Sequence, residues 1–411
     1  MLKHERFSEL PVDEREGKAM NIPSIEVNHG PLAEPEPKPR NSDSRTSMKV
    51  LTILGTRPEF IRLSRIIKKL DDLCAHVVVH TGQNYDQNLN EVFFRELDIR
   101  EPDHHLGARG SFGEQIGTIL TGMERILRET KPDRFLVLGD TNSSLAAMCA
   151  KRLRIPVYHM EAGNRCYDDR VPEEINRRII DHCSDVLLPY TNRSKENLLR
   201  EGIERQRIFV VGNPIYEVLS FYSPQIEASD VLHRFDLEAG EYFLVTLHRA
   251  ENVDDPERLA RLLQGLELVA ETYGAPVVVS LHPHTAKNIV EAKLDGGSDR
   301  LRFSKPFGFF DFAKLERHVR CVLTDSGTVQ EECAILGIPN VTVRDTTERA
   351  EAIECGSSIL SGSYPPMILQ AVRVATSLSH DWQPPAEYVV PAVSDKVAKI
   401  VLGFHDAPCH V

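Results

Sequence analysis

The chain is predicted to be α/β, with two Rossmann-like domains facing each other across a cleft. Three observations carry that expectation. From Lys49 onward, short continuous apolar runs alternate with segments of helical periodicity, the pattern of parallel strands buried on both faces. The alternation pauses after Gly212-Asn213-Pro214 and then restarts, which describes two sheets rather than one. Nearly every polar motif follows directly on a strand, where open α/β sheets bind their ligands.

In the first series, strands are expected at 50–54, 77–79, 135–138, 157–160, 186–188 and 209–211. Phe60, Leu63, Ile67 and Leu70 recur at helical spacing directly after the first of them, so a helix follows it. The second series places strands at 242–247, 277–281, 301–303, 321–323 and 341–343. Residues 1–47 show no apolar period and are rich in Pro, Glu, Asp and Asn, so they are expected to be a disordered extension. The expected domains are 48–214 and 215–385, with a hinge near 214–225 and a C-terminal segment 386–411.

The 411 residues are 41% apolar and 27% charged, enough for two cores. A net charge of -12 without a clustered Lys/Arg stripe argues against a nucleic-acid binder. No apolar run approaches transmembrane length and the N-terminus lacks a signal-peptide core. The eight cysteines are scattered with no CxxC pair, as expected for reduced thiols in a cytoplasmic protein, without disulfides or zinc.

The motifs fall at the strand ends. Leu323-Thr324-Asp325-Ser326-Gly327-Thr328 leads from a strand into a helix, whose first free N–H groups and positive dipole end attract anions. Glu332 lies six residues past Ser326, roughly 9 Å along a helix. That offset suits a ribose beside a diphosphate, although an ordinary Ser cap accounts for the loop equally. Gly55-Thr56-Arg57-Pro58-Glu59 gives a tight turn, a helix start and a guanidinium, with Arg62 as a second cation on the same helix. Asp140, in Gly139-Asp140-Thr141-Asn142, reads as either a helix cap or an acid/base group. Glu161 gains nothing as a cap, which favours a functional role. Glu173 and Glu174 open a helix, where they suit the dipole, and one of them can equally reach the cleft. His248, ending a strand of the second series, suits phosphate donation or general-acid work. His282-Pro283-His284 is a poor metal site, because no third ligand has suitable spacing. Arg344 and Arg349 close the set.

Together the motifs put carboxylates on one domain and phosphate- and ribose-binding groups on the other, which suggests a sugar nucleotide reacting at its sugar. With GTRPE, TGQ, GDTNSS, EAG, PEEINR, LHR, TDSGTVQEE and RDTTER in this order, the chain resembles the non-hydrolysing UDP-N-acetylglucosamine 2-epimerases from about Lys49 to its C-terminus. The resemblance implies a fold of the glycosyltransferase-B type, a C-terminal helix near 393–404 returning to the first domain, a homodimer, and no metal or nicotinamide cofactor. It assigns the catalytic carboxylates to Asp140, Glu161 and Glu173 and the catalytic histidine to His248. It places UDP contacts on Arg57, Arg62, Ser326, Gly327, Glu332 and Arg349, and Gln83, Arg165 and His282 are expected to join them around the UDP-sugar. Arg62 stands where a lysine is common. Asn84 and Ala250 depart from many bacterial members in regions associated with activation by substrate.

The activity so implied is C2 epimerisation of UDP-N-acetylglucosamine to UDP-N-acetylmannosamine, by elimination and re-addition of UDP. The segment 161–181 also resembles the branch that forms UDP-N-acetyl-L-fucosamine. A glycosyltransferase of the same fold, a hydrolysing epimerase and a non-catalytic sugar-nucleotide sensor are the competing classes.

Overall fold

The strand runs of the sequence, with one exception, take their places in two parallel sheets interleaved with helices. The computed structural model describes residues 48–83, 94–294 and 298–403; the segment 1–47 and Asn84 lie outside the described residues. The first sheet contains β1 (Lys49–Leu54), β2 (Ala75–His80), β3 (His104–His105), β4 (Arg134–Leu138), β5 (Val157–Met160) and β6 (Val186–Leu188). Its order is β3-β2-β1-β4-β5-β6, parallel throughout. The second sheet holds β7 (Phe243–Leu247), β8 (Val277–Leu281), β9 (Leu301–Ser304), β10 (Cys321–Thr324), β11 (Asn340–Thr342) and β12 (Ser358–Leu360). Its order is β12-β11-β10-β7-β8-β9, again parallel throughout. Read from β9, the second order repeats the first, so both sheets have the doubly wound Rossmann arrangement. In each, the chain reverses direction beside its first strand, between β1 and β4 and between β7 and β10. The crevice for a ligand lies there.

The expected strand at 209–211 is not one. Phe209 N donates to Leu187 O at 2.9 Å and Val211 N to Pro189 O at 3.0 Å. Pro189 has no N–H to return, so the ladder beside β6 stops. Two edge strands, β3 and β12, were not expected; they are only two and three residues long.

Alternate residues of β1 face opposite layers. Val50 and Leu54 join Phe60, Leu63 and Ile67 of the helix Arg57–Leu73, while Leu51 and Ile53 join Ile119, Met123 and Ile126 of the helix Phe112–Thr130. The first of these clusters extends to the C-terminal helix Val393–Gly403 through Val393, Val397 and Val401. It also takes in Ile215, Leu219 and Tyr222, and then Phe309 and Ala313 from the helix Phe309–His318 of the second half. Apolar contact thus runs between the two halves below the crevice. Among the described residues, no helix is long and apolar enough to cross a membrane.

Gly55, at the end of β1, is required by close approach. A Cβ there would collide with Thr81 Oγ1 and Ser143 Oγ, which share a 2.8 Å hydrogen bond. Gly55→Ala is expected to lower the unfolding free energy by about 1–3 kcal/mol, read from the urea midpoint; an unchanged midpoint would show that these loops move aside freely.

Candidate active site

The loops after β1, β2 and β4 are tied together before any ligand is considered. Glu59 accepts from Gly55 N (2.9 Å) and Thr56 N (2.7 Å), and Thr141 Oγ1 donates to it at 3.0 Å. Gln83, expected to bind substrate, accepts through its amide oxygen from Ser143 N (3.2 Å) and Ser143 Oγ (2.7 Å). Arg57 lies over the Phe312 ring of the second half, 5.5 Å from its centroid. Burial lowers its pKa to about 10, against the pull of Glu332 and Glu96.

The three expected carboxylates sit in three different electrostatic settings. Asp140 is no helix cap: the short turn Asn142–Ala146 that follows has Thr141 at its cap position. The Asp140 carboxylate instead accepts from Arg177 Nε at 2.8 Å, and Asn176 Nδ2 donates to its backbone carbonyl at 2.9 Å. Burial raises its pKa; Arg177 opposes the rise, and Glu161 and Glu173 reinforce it. Glu161 follows β5 with φ +65°, a left-handed backbone that a residue with a Cβ adopts only when its surroundings demand it. Burial alone would raise its carboxyl as well, yet Arg62 and Arg349 override that effect and hold it at about 2. Of the pair opening the helix Pro172–Cys183, Glu173 reaches the crevice and meets Arg249 at 3.0 Å. Glu174 turns inward, accepting from Cys166 N (3.0 Å), Tyr167 N (3.1 Å) and Arg177 (2.7 Å). Burial pushes the Glu173 carboxyl up, but Arg249 brings it below its ordinary value.

The two halves meet in a buried ring of alternating charge. Arg62 donates to Glu161 and to Glu331, and Arg349 donates to Glu161 from its other side and pairs with Glu331 at 2.6 Å. All four side chains are at most 7% exposed. Two members come from the first sheet's side and two from the second's. Beside the ring, Glu348 lies between Arg344 (2.7 Å), Arg249 (3.2 Å) and Arg177 (3.9 Å). Burial would raise the Glu348 carboxyl, and this arginine cluster, with Arg344 foremost, holds it well below its usual range.

Across the crevice, Ser326 is the cap residue of the helix Gly327–Leu336, but its hydroxyl makes no capping hydrogen bond. The ordinary cap therefore does not account for this loop. A Cβ on Gly327 would collide with Glu348 Oε1 and lie 3.5 Å from Arg349 Cζ, so the helix start already faces an anionic oxygen and a guanidinium. Asp325 accepts from His248 N (3.0 Å), Arg249 N (3.0 Å) and Asn252 Nδ2 (3.1 Å), and its carboxylate stands 3.2 Å from His248 Nδ1. His248 keeps 38% of its side chain exposed, and burial of the rest lowers its pKa against the influence of Asp325. His282 accepts through Nδ1 from His284 N at 3.3 Å, and burial takes its pKa to about 4.

Arg165 does not join this set. Its guanidinium is fully buried against Asp181 (2.8 Å) and Glu201 (2.6 Å). The residues that the sequence reading passed over are Asp325, Glu331, Glu348, Arg177 and Arg249. All lie inside the motifs already singled out, Arg177 in the helix opened by Pro172 and the others in motifs that follow a strand, and their signal was an unassigned charge.

The profile of the UDP-N-acetylglucosamine 2-epimerase family matches residues 68–402. The chain belongs to this family. A UDP-N-acetylglucosamine 2-epimerase of Methanocaldococcus jannaschii is 41% identical over 348 residues, covering 82% of this chain and 95% of that protein. A UDP-2,3-diacetamido-2,3-dideoxy-D-glucuronate 2-epimerase of Pseudomonas aeruginosa is 39% identical, covering 80% of this chain and 92% of its own length. Among solved structures, the M. jannaschii UDP-GlcNAc 2-epimerase in complex with UDP-GlcNAc and UDP superposes with a TM-score of 0.83 at 40% identity. That match covers 86% of this chain and 99% of the other. The epimerase family's two-domain glycosyltransferase-B architecture is thus the one the two sheets adopt, and an epimerase is an isomerase.

Breaking one link of the buried ring leaves an arginine short of its counter-charge, a loss of about 3–5 kcal/mol. Glu331→Leu is expected to lose that much in urea unfolding at pH 7. Because the folded Glu161 pKa lies at about 2, below the ordinary 4.5, its contribution is present above 4.5 and lost as pH falls from there towards 2. The stability gap between the wild type and Glu161→Gln should therefore shrink over that range; a gap that widens on acidification would contradict the pairing.

Proposed function

We propose that this protein epimerises a UDP-2-acetamido sugar at C2 without hydrolysis, converting UDP-N-acetylglucosamine to UDP-N-acetylmannosamine. The observation that carries this reading is the position of Asp140. Its raised carboxyl stands among Glu161, Glu173 and Arg177, and through Arg177 and Glu348 it is linked to the uncapped helix start at Gly327. The relatives named for this reaction add their support.

The C2 proton of the sugar is not acidic, because no carbonyl adjoins it. Cleavage of the C1–O bond first gives oxocarbenium character at C1, and UDP leaves with the bonding pair. Loss of the C2 proton to a carboxylate then forms the C1=C2 bond of a glycal. Protonation of C2 from the opposite face and return of UDP to C1 complete the inversion. Asp140, its carboxyl raised above the ordinary value by burial, suits the proton transfer. Glu161, held ionised, suits stabilisation of the positive C1, and Glu173 is the second acid/base group. Ser326, Gly327, Arg57, Arg62, Arg349 and His248 receive the diphosphate, which competes with Glu161, Glu331 and Glu348 for the arginines. Glu332 accepts from the ribose hydroxyls.

The Pseudomonas relative, nearly as similar as the archaeal one, supports a second reading in which the C2 chemistry is the same on a different 2-acetamido sugar. Proton NMR with UDP-N-acetylglucosamine in deuterium oxide tests both. Deuterium at C2 of recovered substrate with the epimer forming supports the first, and C2 exchange only with the diacetamido-glucuronate substrate supports the second. No C2 exchange with either would overturn the mechanism. Asp140→Asn should lower kcat by about 10²–10⁴-fold while leaving UDP affinity nearly unchanged; equal losses of both would make Asp140 structural.

A further inference from the structure

Glu332 does not stand alone beneath the expected ribose site. Glu316, on the helix Phe309–His318, is fully buried and points at the same place. Its Oε1 accepts from the Cys333 thiol at 3.5 Å. Its Oε2 is buried with no donor facing it, and a buried polar atom left without a partner costs about 1–3 kcal/mol. The group beside it is the Glu332 carboxyl, close enough to raise the Glu316 pKa. Two carboxylates cannot hydrogen-bond each other, whereas a carboxylic acid and a carboxylate can.

We propose that Glu316 keeps a proton and donates it as a hydrogen bond to Glu332, so that Glu316 is a positioning residue aiming the Glu332 carboxylate at the ribose hydroxyls. This rests on the reading of Glu332 as the ribose acceptor. The charged surroundings favour the arrangement. Arg317 on the same helix is bound to Glu227 at 2.7 Å and lowers the Glu316 carboxyl less than burial and Glu332 raise it. Arg57 and Arg62, from the helix packed opposite, act on Glu332 rather than on Glu316, and Glu331 and Cys333 flank the pair from the helix Gly327–Leu336. Burial, together with the neighbouring Glu332 charge, pushes the Glu316 carboxyl well above its ordinary value. Burial raises the Glu332 carboxyl too, to about 7, against Arg62 and Arg57. Glu316 lacks those arginines among its main influences and is pushed well up, so of the two it is Glu316 that keeps the proton. A glutamine at 316 reproduces both polar contacts, an amide N–H for Glu332 and a carbonyl for Cys333. A methionine fills the volume and supplies neither.

The test compares UDP and 2′-deoxy-UDP binding by calorimetry, with KM and kcat, in the wild type, Glu316→Gln and Glu316→Met. The wild type should prefer UDP. Glu316→Met should lose at least tenfold in UDP affinity and in KM, lose most of the preference for UDP, and keep kcat within a few-fold. Glu316→Gln should retain both affinity and preference. A wild type indifferent to the 2′-hydroxyl would overturn the assignment of Glu332 to the ribose. A wild type that discriminates, with a Met variant that still does or a Gln variant that fails as badly as Met, would overturn the role of Glu316. Infrared difference spectroscopy supplies an answer independent of how the Met variant folds. A protonated-carboxyl C=O band should lose intensity at neutral pH in Glu316→Gln relative to the wild type; a band unchanged by that substitution would contradict the proposal.

Discussion

A guanidinium with almost no access to solvent, Arg62, is the constraint that the rest of this structure answers to. An unpaired charge in such a place is prohibitively costly, and only close, hydrogen-bonded carboxylates make it tolerable. Arg62 takes them from two sources, Glu161 at the end of β5 and Glu331 on the helix after β10. Arg349 needs the same two carboxylates, and the ring closes. Because the partners belong to different sheets, the ring can form only if the strand-end surfaces of the two Rossmann units face each other. The left-handed backbone of Glu161 fits this view. It is the local strain of placing one carboxylate between two arginines.

From that meeting of surfaces follows the separation of the acidic groups into distinct protonation states. Glu161 lies between two guanidiniums and stays ionised, while burial, with Glu161 and Glu173 alongside, pushes Asp140 the other way against Arg177 and Arg249. Titratable groups a few residues from the same switch point but driven apart in pKa are the arrangement that acid/base chemistry on an unactivated carbon requires. Arg249 and Arg177 continue the same alternation through Glu173, Glu174 and Glu348.

The doubly wound fold was legible because central parallel strands must be apolar on both faces, a signal that needs no partner to be read. The edges were less so. β3 and β12 are two and three residues long, too short to show a period, and 209–211 is apolar but lies beside a proline that cannot continue a ladder. At the site, residue types and strand-end positions marked Asp140, Glu161, Glu173 and His248, but not their partners. Whether Arg165 points into the crevice or towards Asp181, and whether Glu331 or Glu332 meets Arg62, depends on helix rotation and on the approach of the second sheet. Neither is written in the spacing of a motif.

The account stands or falls on coupling across the crevice between Glu161, from the first sheet, and Arg349, from the second. A double-mutant cycle of Glu161→Gln and Arg349→Met, read by urea unfolding at pH 7, measures it directly. The ring predicts that the double variant loses less than the sum of the single losses, by about 0.5–3 kcal/mol. Losses that add to within about 0.3–0.5 kcal/mol would mean that the two residues do not share a charge, and that the sheets are held in place by something else.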